Sequence, residues 1–434
     1  MTLLLDNALL VPMTDNGPRW FYGSVGIEGN RIVLVTADPA AACAFREARP
    51  DCRTIDCTGR AVMPGLINTH CHAAMTLQRS RADDIALMEW LNNSIWPFEA
   101  QQTPDEIVLG MTLGIVELLL GGVTSFVDMY FHEQRCVETV ERAGIRALLG
   151  CSYFDSNIDE ALAEAAAYLA AAASCSRVRI ALAPHAPYTV SPENLRRSRA
   201  AADRLGVPLM IHLAETQDEA RIVHERYGCT PTAALDRLGL LDDRTIAAHC
   251  VWVDDDDLEI LARRGVTVSH NPQSNMKIAS GTAPVARMVE KGVRITLATD
   301  GPCSNNDLDL WEEMRAAAFL QKVSTGNPLT LPAWEVLRMA TAAGARAMGY
   351  GDGELGVVQE GALADLIVID LRKPHLQPLH NPVSNLVYCG KASDVETVIV
   401  DGRIVVEQRR IAGLDLDALY RQVAAAVERI EGAL

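Results

Sequence analysis

The chain has 434 residues, 49% of them hydrophobic, and a formal charge of −17. Such a length and apolar content suit one large α/β domain with a smaller module, and the acidic balance excludes nucleic acid as a polyanionic partner, because phosphate contacts need basic patches and no basic run occurs. Eleven cysteines without a Cys-x-x-Cys pair form no disulfide framework. No apolar stretch reaches the ~18 residues of a membrane span, and the first residues lack a basic segment leading into a signal-type run, so a soluble, cytoplasmic protein with no membrane partner is expected.

Residues 1–60 alternate short apolar segments with turn residues, and Gly29-Asn30 between two of them is a hairpin signal. The same grammar returns at 364–369, 395–400 and 403–406. Residues 1–60 and 356–410 are therefore expected to pair in one small β-sandwich. Between them, over residues 61–355, strand-like runs alternate with helical patterns, the signal for parallel βα units. Eight barrel strands are predicted near 62–70, 122–129, 145–151, 178–185, 207–212, 244–249, 265–269 and 293–299. The expected fold class is α/β: a (β/α)8 TIM-like barrel beside that sandwich, with residues 411–434 as an exposed C-terminal helix.

The strand ends carry the chemistry. His70 and His72 share one face because alternate side chains of a strand project the same way. Three later apolar runs end in His212, His249 and Asp300. Ligand-type residues at the carboxyl ends of successive strands are how a barrel of this kind builds its active site.

These residues carry a resemblance. Pro64 through His72, His212-Leu213-Ala214-Glu215, His249, Ser269-His270-Asn271-Pro272 and Thr299-Asp300-Gly301 together resemble the amidohydrolase superfamily. Met88-Glu89-Trp90-Leu91, Ile95-Trp96-Pro97, the run from Ser304 to Asp309, and Leu320-Gln321-Lys322 resemble its methylthioadenosine/S-adenosylhomocysteine deaminase branch. The similarity extends from about residue 5 to about residue 410 and implies the same two-module fold.

Three imidazoles and a carboxylate suit zinc or ferrous iron. His70, His72, His212 and Asp300 are the expected ligands of one divalent metal per subunit, zinc ahead of iron. Binuclear relatives carry a bridging lysine on the fourth strand, and residues 177–185 contain none. Glu215, three residues past His212, can overhang the metal and protonate a ring nitrogen. His249 would orient or stabilise the attacking water, with a metal-ligand role as the lesser alternative, while His270 is either close to the site or structural. The implied reaction is attack of metal-activated water at C6 of a 6-aminopurine, with Glu215 protonating N1 and Asp300 carrying a proton from water to the departing amine.

After His72, residues 75–99 should form an excursion over the barrel mouth. The resemblance makes Glu99 the acceptor for both ribose hydroxyls and His185 a second ribose contact; Trp90 would wall the purine and Ser304 contact its ring. From the residues alone, Trp90 and Trp96 read first as packing side chains and Glu99 as an exposed acid at a helix start.

One departure bears on the substrate. Relatives acting on S-adenosylhomocysteine hold its carboxylate with arginines after the third strand, whereas residues 147–176 contain no arginine or lysine. Burying an unpartnered carboxylate costs several kcal/mol. 5′-Methylthioadenosine is thus expected ahead of adenosine and 5′-deoxyadenosine, with S-adenosylhomocysteine disfavoured. An s-triazine amino- or chlorohydrolase is the rival reading, and it would have no use for Glu99 and His185. The resemblance also implies a homo-oligomer, a dimer or tetramer.

Overall fold

Eight β-rich apolar runs, buried on both faces as a helix-wrapped parallel sheet requires, form the centre of the molecule. The computed structural model describes residues 1–85, 87–131 and 133–434. The barrel strands are Leu66–Cys71, Val123–Tyr130, Arg146–Tyr153, Val178–Pro184, Leu209–Leu213, Thr245–His249, Thr267–His270 and Arg294–Leu297. Each lies beside its successor in one eight-stranded parallel sheet. The first and last strands come together at the top, where Asp300 N donates to His70 O (3.0 Å) and Cys71 bridges Asp300. Lower down, the Thr69 and Thr296 hydroxyls hydrogen-bond at 2.7 Å. The sheet is thereby nearly closed into a barrel.

The run predicted as one strand at 62–70 is two. Arg60–Pro64 belongs to the other sheet, pairing antiparallel with Leu366–Asp370 and parallel with Thr2–Leu10. Leu66–Cys71 opens the barrel. Gly65 is the crossing point: its N–H goes back to Asp365 O at 3.0 Å, while Leu66 N already reaches Gly122 O at 3.0 Å. A Cβ at residue 65 would lie 2.1 Å from the Thr124 side chain and 2.6 Å from Thr124 Cβ, so no rotamer of Thr124 relieves the overlap. Gly65→Ala is expected to destabilise the protein by about 1–3 kcal/mol, measured as a lower denaturation midpoint with unchanged metal content.

The terminal segments form one nine-stranded sheet. The hairpin at Gly29-Asn30 joins Phe21–Glu28 to Arg31–Thr36 with Glu28 opposite Arg31. Leu3, Leu5, Val25, Ile27, Val62, Leu366, Val368 and Ile399, drawn from both ends of the chain, share one core. Arg146, buried at the foot of the third barrel strand, ties barrel to sheet through Asp365 (2.8 and 2.9 Å). A buried bidentate pair of this kind fixes geometry as well as contributing energy.

The expected excursion follows His72 as the helical pieces Ala73–Gln78, Leu87–Trp90, Leu91–Ile95 and Trp96–Glu99. The C-terminal helix Leu416–Glu431 is largely exposed, with Leu419, Ala426 and Ile430 buried. Ile430 is buried against Leu77 and Phe98, Arg429 pairs with Glu106, and Glu431 pairs with Arg81 at 2.6 Å. It clamps the base of the excursion. No helix among the described residues is long and apolar enough to cross a membrane.

Candidate active site

His70, His72, His212 and Asp300 converge at the carboxyl ends of the first, fifth and eighth strands, and one ligand atom from each lies within 4.8 Å of the other three. Asp300 Oδ1 is 3.4 Å from His70 Nε2 and 3.2 Å from His72 Nε2. His72 Nδ1 donates to Met129 O (2.5 Å) and His212 Nδ1 to His185 O (2.9 Å). Those bonds place the ring protons on Nδ1, so in the neutral rings both Nε2 atoms carry lone pairs. The two Nε2 atoms nevertheless face each other at 3.3 Å, and His70 Nε2 is buried with no hydrogen-bond partner among the described residues. Facing lone pairs repel unless a cation lies between them. The donor set, tautomers and orphaned nitrogen fit a divalent metal held by three histidines and one aspartate.

The proton-carrying candidates surround this cluster. Glu215 is buried at the turn leaving the fifth strand, 3.9 Å from His249 Nε2. Burial raises its carboxyl above the ordinary range, which favours the protonated form. The turn is held by Glu219, whose two carboxylate oxygens accept from Ala214 N (2.8 Å) and Glu215 N (2.9 Å). Asp300 Oδ2 accepts from Ser274 Oγ (2.6 Å) and Ser304 Oγ (2.8 Å). Ala214, His249 and Asp300 have φ of 51°, 73° and 64°. Three non-glycine residues in left-handed backbone at one barrel mouth represent strain of order 1 kcal/mol or more each, the kind retained at working sites.

A cavity with about 670 Å³ of empty space, part of it open to solvent, rises from this floor. Trp90, Glu99, His185, Glu215, Asp300 and Ser304 all line it. Glu99 accepts from Tyr130 OH at 2.8 Å, and burial lifts its carboxyl to about 7 despite that bond. The Thr189 hydroxyl donates to Ala186 O (3.2 Å) and therefore accepts from His185 Nδ1–H (3.0 Å), leaving Nε2 as an acceptor. Burial pushes the His185 pKa down to about 3, so the ring is neutral. The upper wall is apolar, with Leu87, Leu91, Ile95, Phe131 and Phe154, and no arginine or lysine is among the described lining residues.

His270 is not part of this lining. It is fully buried, its pKa is pushed down to about 3 by burial, and neither ring nitrogen has a hydrogen-bond partner among the described residues. Ser304 reaches Asp300 and Gly301 O with its hydroxyl, so its place is beside the carboxylate as well as on the cavity wall. Sequence reasoning missed Tyr130, Glu219, Ser274 and Asn275. The last two stand two and three residues past Pro272 of Ser269-His270-Asn271-Pro272, and Glu219 stands four residues after Glu215 in the first turn of a helix; those neighbourhoods were the available signal.

Comparison with known proteins agrees with this architecture. The amidohydrolase family model matches residues 61–405. A 5-methylthioadenosine/S-adenosylhomocysteine deaminase of Desulforudis audaxviator is 44% identical over 434 residues, covering 99% of each chain. A 5′-deoxyadenosine deaminase of Methanothermobacter thermautotrophicus is 42% identical over 418 residues, covering 94% of this chain and 95% of the relative. Among solved structures, a zinc-bound adenosine deaminase from Xanthomonas campestris superposes with a TM-score of 0.94 at 37% identity, covering 99% of this chain and 98% of that one. An atrazine chlorohydrolase from Arthrobacter aurescens, solved with zinc, gives 0.90 at 25% identity over 98% of this chain and 100% of that one. With three histidines and an aspartate able to hold a metal at the barrel mouth and a family match over most of its length, the chain belongs to the amidohydrolase family.

Proposed function

We propose that this enzyme hydrolytically deaminates an adenosine-type nucleoside, with 5′-methylthioadenosine its preferred substrate and 5′-methylthioinosine and ammonia its products. One observation carries the reading: Glu99 and His185, suited to accept hydrogen bonds from ribose hydroxyls, share a cavity with the metal cluster and Glu215. The relatives named as deaminases of methylthioadenosine, S-adenosylhomocysteine and 5′-deoxyadenosine support it.

A zinc ion held by His70, His72, His212 and Asp300 would lower the pKa of water toward ~7 and act as a Lewis acid. The protein's own groups divide the remaining work. Glu215 carries a proton to N1 of the purine, drawing electron density from C6 as water attacks. His249 orients that water. Asp300 takes one proton of the water at attack and returns it to the exocyclic amine, which leaves as ammonia, while the proton remaining on the C6 hydroxyl passes to the Glu215 carboxylate and restores its acid form. Trp90 walls the base, Glu99 and His185 hold the ribose, and Ser304 steadies Asp300 at the edge of the base. Exclusion of bulk water by the apolar upper wall strengthens each of these polar contacts.

The same wall chooses the 5′ substituent. A methylthio group or a hydrogen matches Leu87, Leu91, Ile95 and Phe154, whereas a homocysteine carboxylate meets no described cation there. The reading extends to zinc rather than iron, a cytoplasmic homo-oligomer and a role in purine salvage. With zinc-loaded protein, kcat/KM for methylthioadenosine is expected to exceed that for S-adenosylhomocysteine by at least about tenfold, consistent with a penalty of several kcal/mol, read as ammonia release. Preference for S-adenosylhomocysteine would overturn the substrate choice. Turnover of s-triazines without turnover of any nucleoside would overturn the function.

A further inference from the structure

The turn that follows the seventh barrel strand is left without a task by the reaction above. Its short helix, Pro272–Lys277, nevertheless reaches both groups on which that reaction depends. Ser274 Oγ donates to Asp300 Oδ2 at 2.6 Å, and the next side chain, Asn275, accepts from His249 Nδ1 at 2.9 Å through Oδ1. Both are fully buried. Asn271, with its amide oriented to donate to Ser269 O (2.6 Å), accepts from Asp300 N at 3.1 Å. The helix is braced from behind, since Gln273 N donates to the buried carboxylate of Glu313 (3.1 Å), which also accepts from Asn305 (2.6 Å). Its last residue, Lys277, bonds Cys303 O (3.0 Å) and pairs with Asp83 of the excursion (2.6 Å).

We propose that Ser274 and Asn275 are positioning residues of the deamination, holding the carboxylate of Asp300 and the imidazole of His249 from one rigid helix. An ionised carboxylate only accepts, so the Ser274 proton must point at Oδ2. That fixes the carboxylate plane and keeps Oδ1 beside His70 and His72. The acceptor on Asn275 fixes the His249 ring with its proton on Nδ1, which leaves Nε2 on the side of Glu215. Asp300 and His249 both occupy left-handed backbone, a conformation that persists only where the surroundings over-determine it. Because Lys277 at the end of the same helix pairs with Asp83, the helix that holds Asp300 and His249 is also tied to the excursion.

The inference rests on the proposed deamination and is tested on metal-loaded protein with Ser274→Ala, Asn275→Ala and the conservative pair Ser274→Thr and Asn275→Asp. Each alanine variant is expected to lose about 10–100-fold in kcat, as removal of outer partners does at metal sites, with KM within about threefold and metal content unchanged. The ¹⁵N signature of the His249 ring should change in Asn275→Ala and persist in Ser274→Ala and Asn275→Asp. Full kcat in either alanine variant, or a loss that follows metal or KM, overturns the proposal. If an alanine variant does not fold, Ser274→Thr and Asn275→Asp decide: a kcat equally low with hydroxyl or acceptor intact overturns it. Failure of wild-type protein to deaminate any nucleoside would refute the function, while the His249 ring signature would still report whether Asn275 sets the tautomer.

Discussion

Glu215→Gln is expected to lower kcat by about 10²–10⁴-fold, the usual range for loss of a positioned general acid, with metal content unchanged. The amide keeps the shape and volume of the carboxyl but cannot release a proton to N1. Nothing in the metal cluster depends on it, because the four converging ligand atoms come from His70, His72, His212 and Asp300. Its backbone would remain fixed, since Glu219 grips the N–H groups of residues 214 and 215 rather than the side chain. Burial already biases the carboxyl toward its protonated form. Parallel determination of metal per subunit and kcat checks the point; loss of metal in step with activity would show that Glu215 is a ligand instead.

Glu99→Gln should act on binding and, in the opposite sense, on stability. A carboxylate accepting from both ribose hydroxyls makes two charge-assisted bonds of about 1.5–3 kcal/mol each. Their loss should lower kcat/KM by about 10²–10³-fold, mostly through KM, allowing for non-additivity. In the free protein the same carboxyl is lifted to about 7, first by burial and against the opposing bond from Tyr130. A raised acid costs the folded state nothing below its unfolded pKa of about 4.5, and the cost grows as pH rises from there to about 7. Above pH 7 that cost is on the order of 1–3 kcal/mol, after discounting for the partial exposure of the site. Glu99→Gln is therefore expected to melt higher than wild type at pH 8 and equally near pH 4.5. For the wild type, KM should rise as pH falls through 7, because a protonated Glu99 accepts fewer bonds. A variant that loses affinity without gaining stability at pH 8 would show that burial does not strain this carboxyl.

The parts of the site legible in the sequence are those set by strand periodicity and strand ends. His70 and His72 face one way because a strand alternates, and His212, His249 and Asp300 each close an apolar run. The position of Glu215 follows from its distance to His212. By contrast, the crossing at Gly65 is hidden, because the residues on both sides are apolar and only the crowding against Thr124 separates two strands. Ser274 and Asn275 are ordinary polar residues until the chain folds. Their partners lie 26 residues away in opposite directions, a relation no local pattern encodes. The docking of the C-terminal helix was concealed similarly, since one buried face anchored by Ile430 and Arg429 reads in sequence like any amphipathic helix at a surface.

The passage of the chain from sheet to barrel at Gly65 also bears on synthesis. Arg60–Pro64 is covered along one edge by Leu366–Asp370, which the ribosome makes roughly 300 residues later. At about 5–20 residues per second, that edge waits on the order of 15–60 s for its partner. During this interval Ala61-Val62-Met63 of the nascent chain can pair only with Thr2–Leu10, and its other edge stays open, an edge of the sort that templates intermolecular pairing. Shielding of that edge during translation is therefore a requirement separate from the stability of the finished fold.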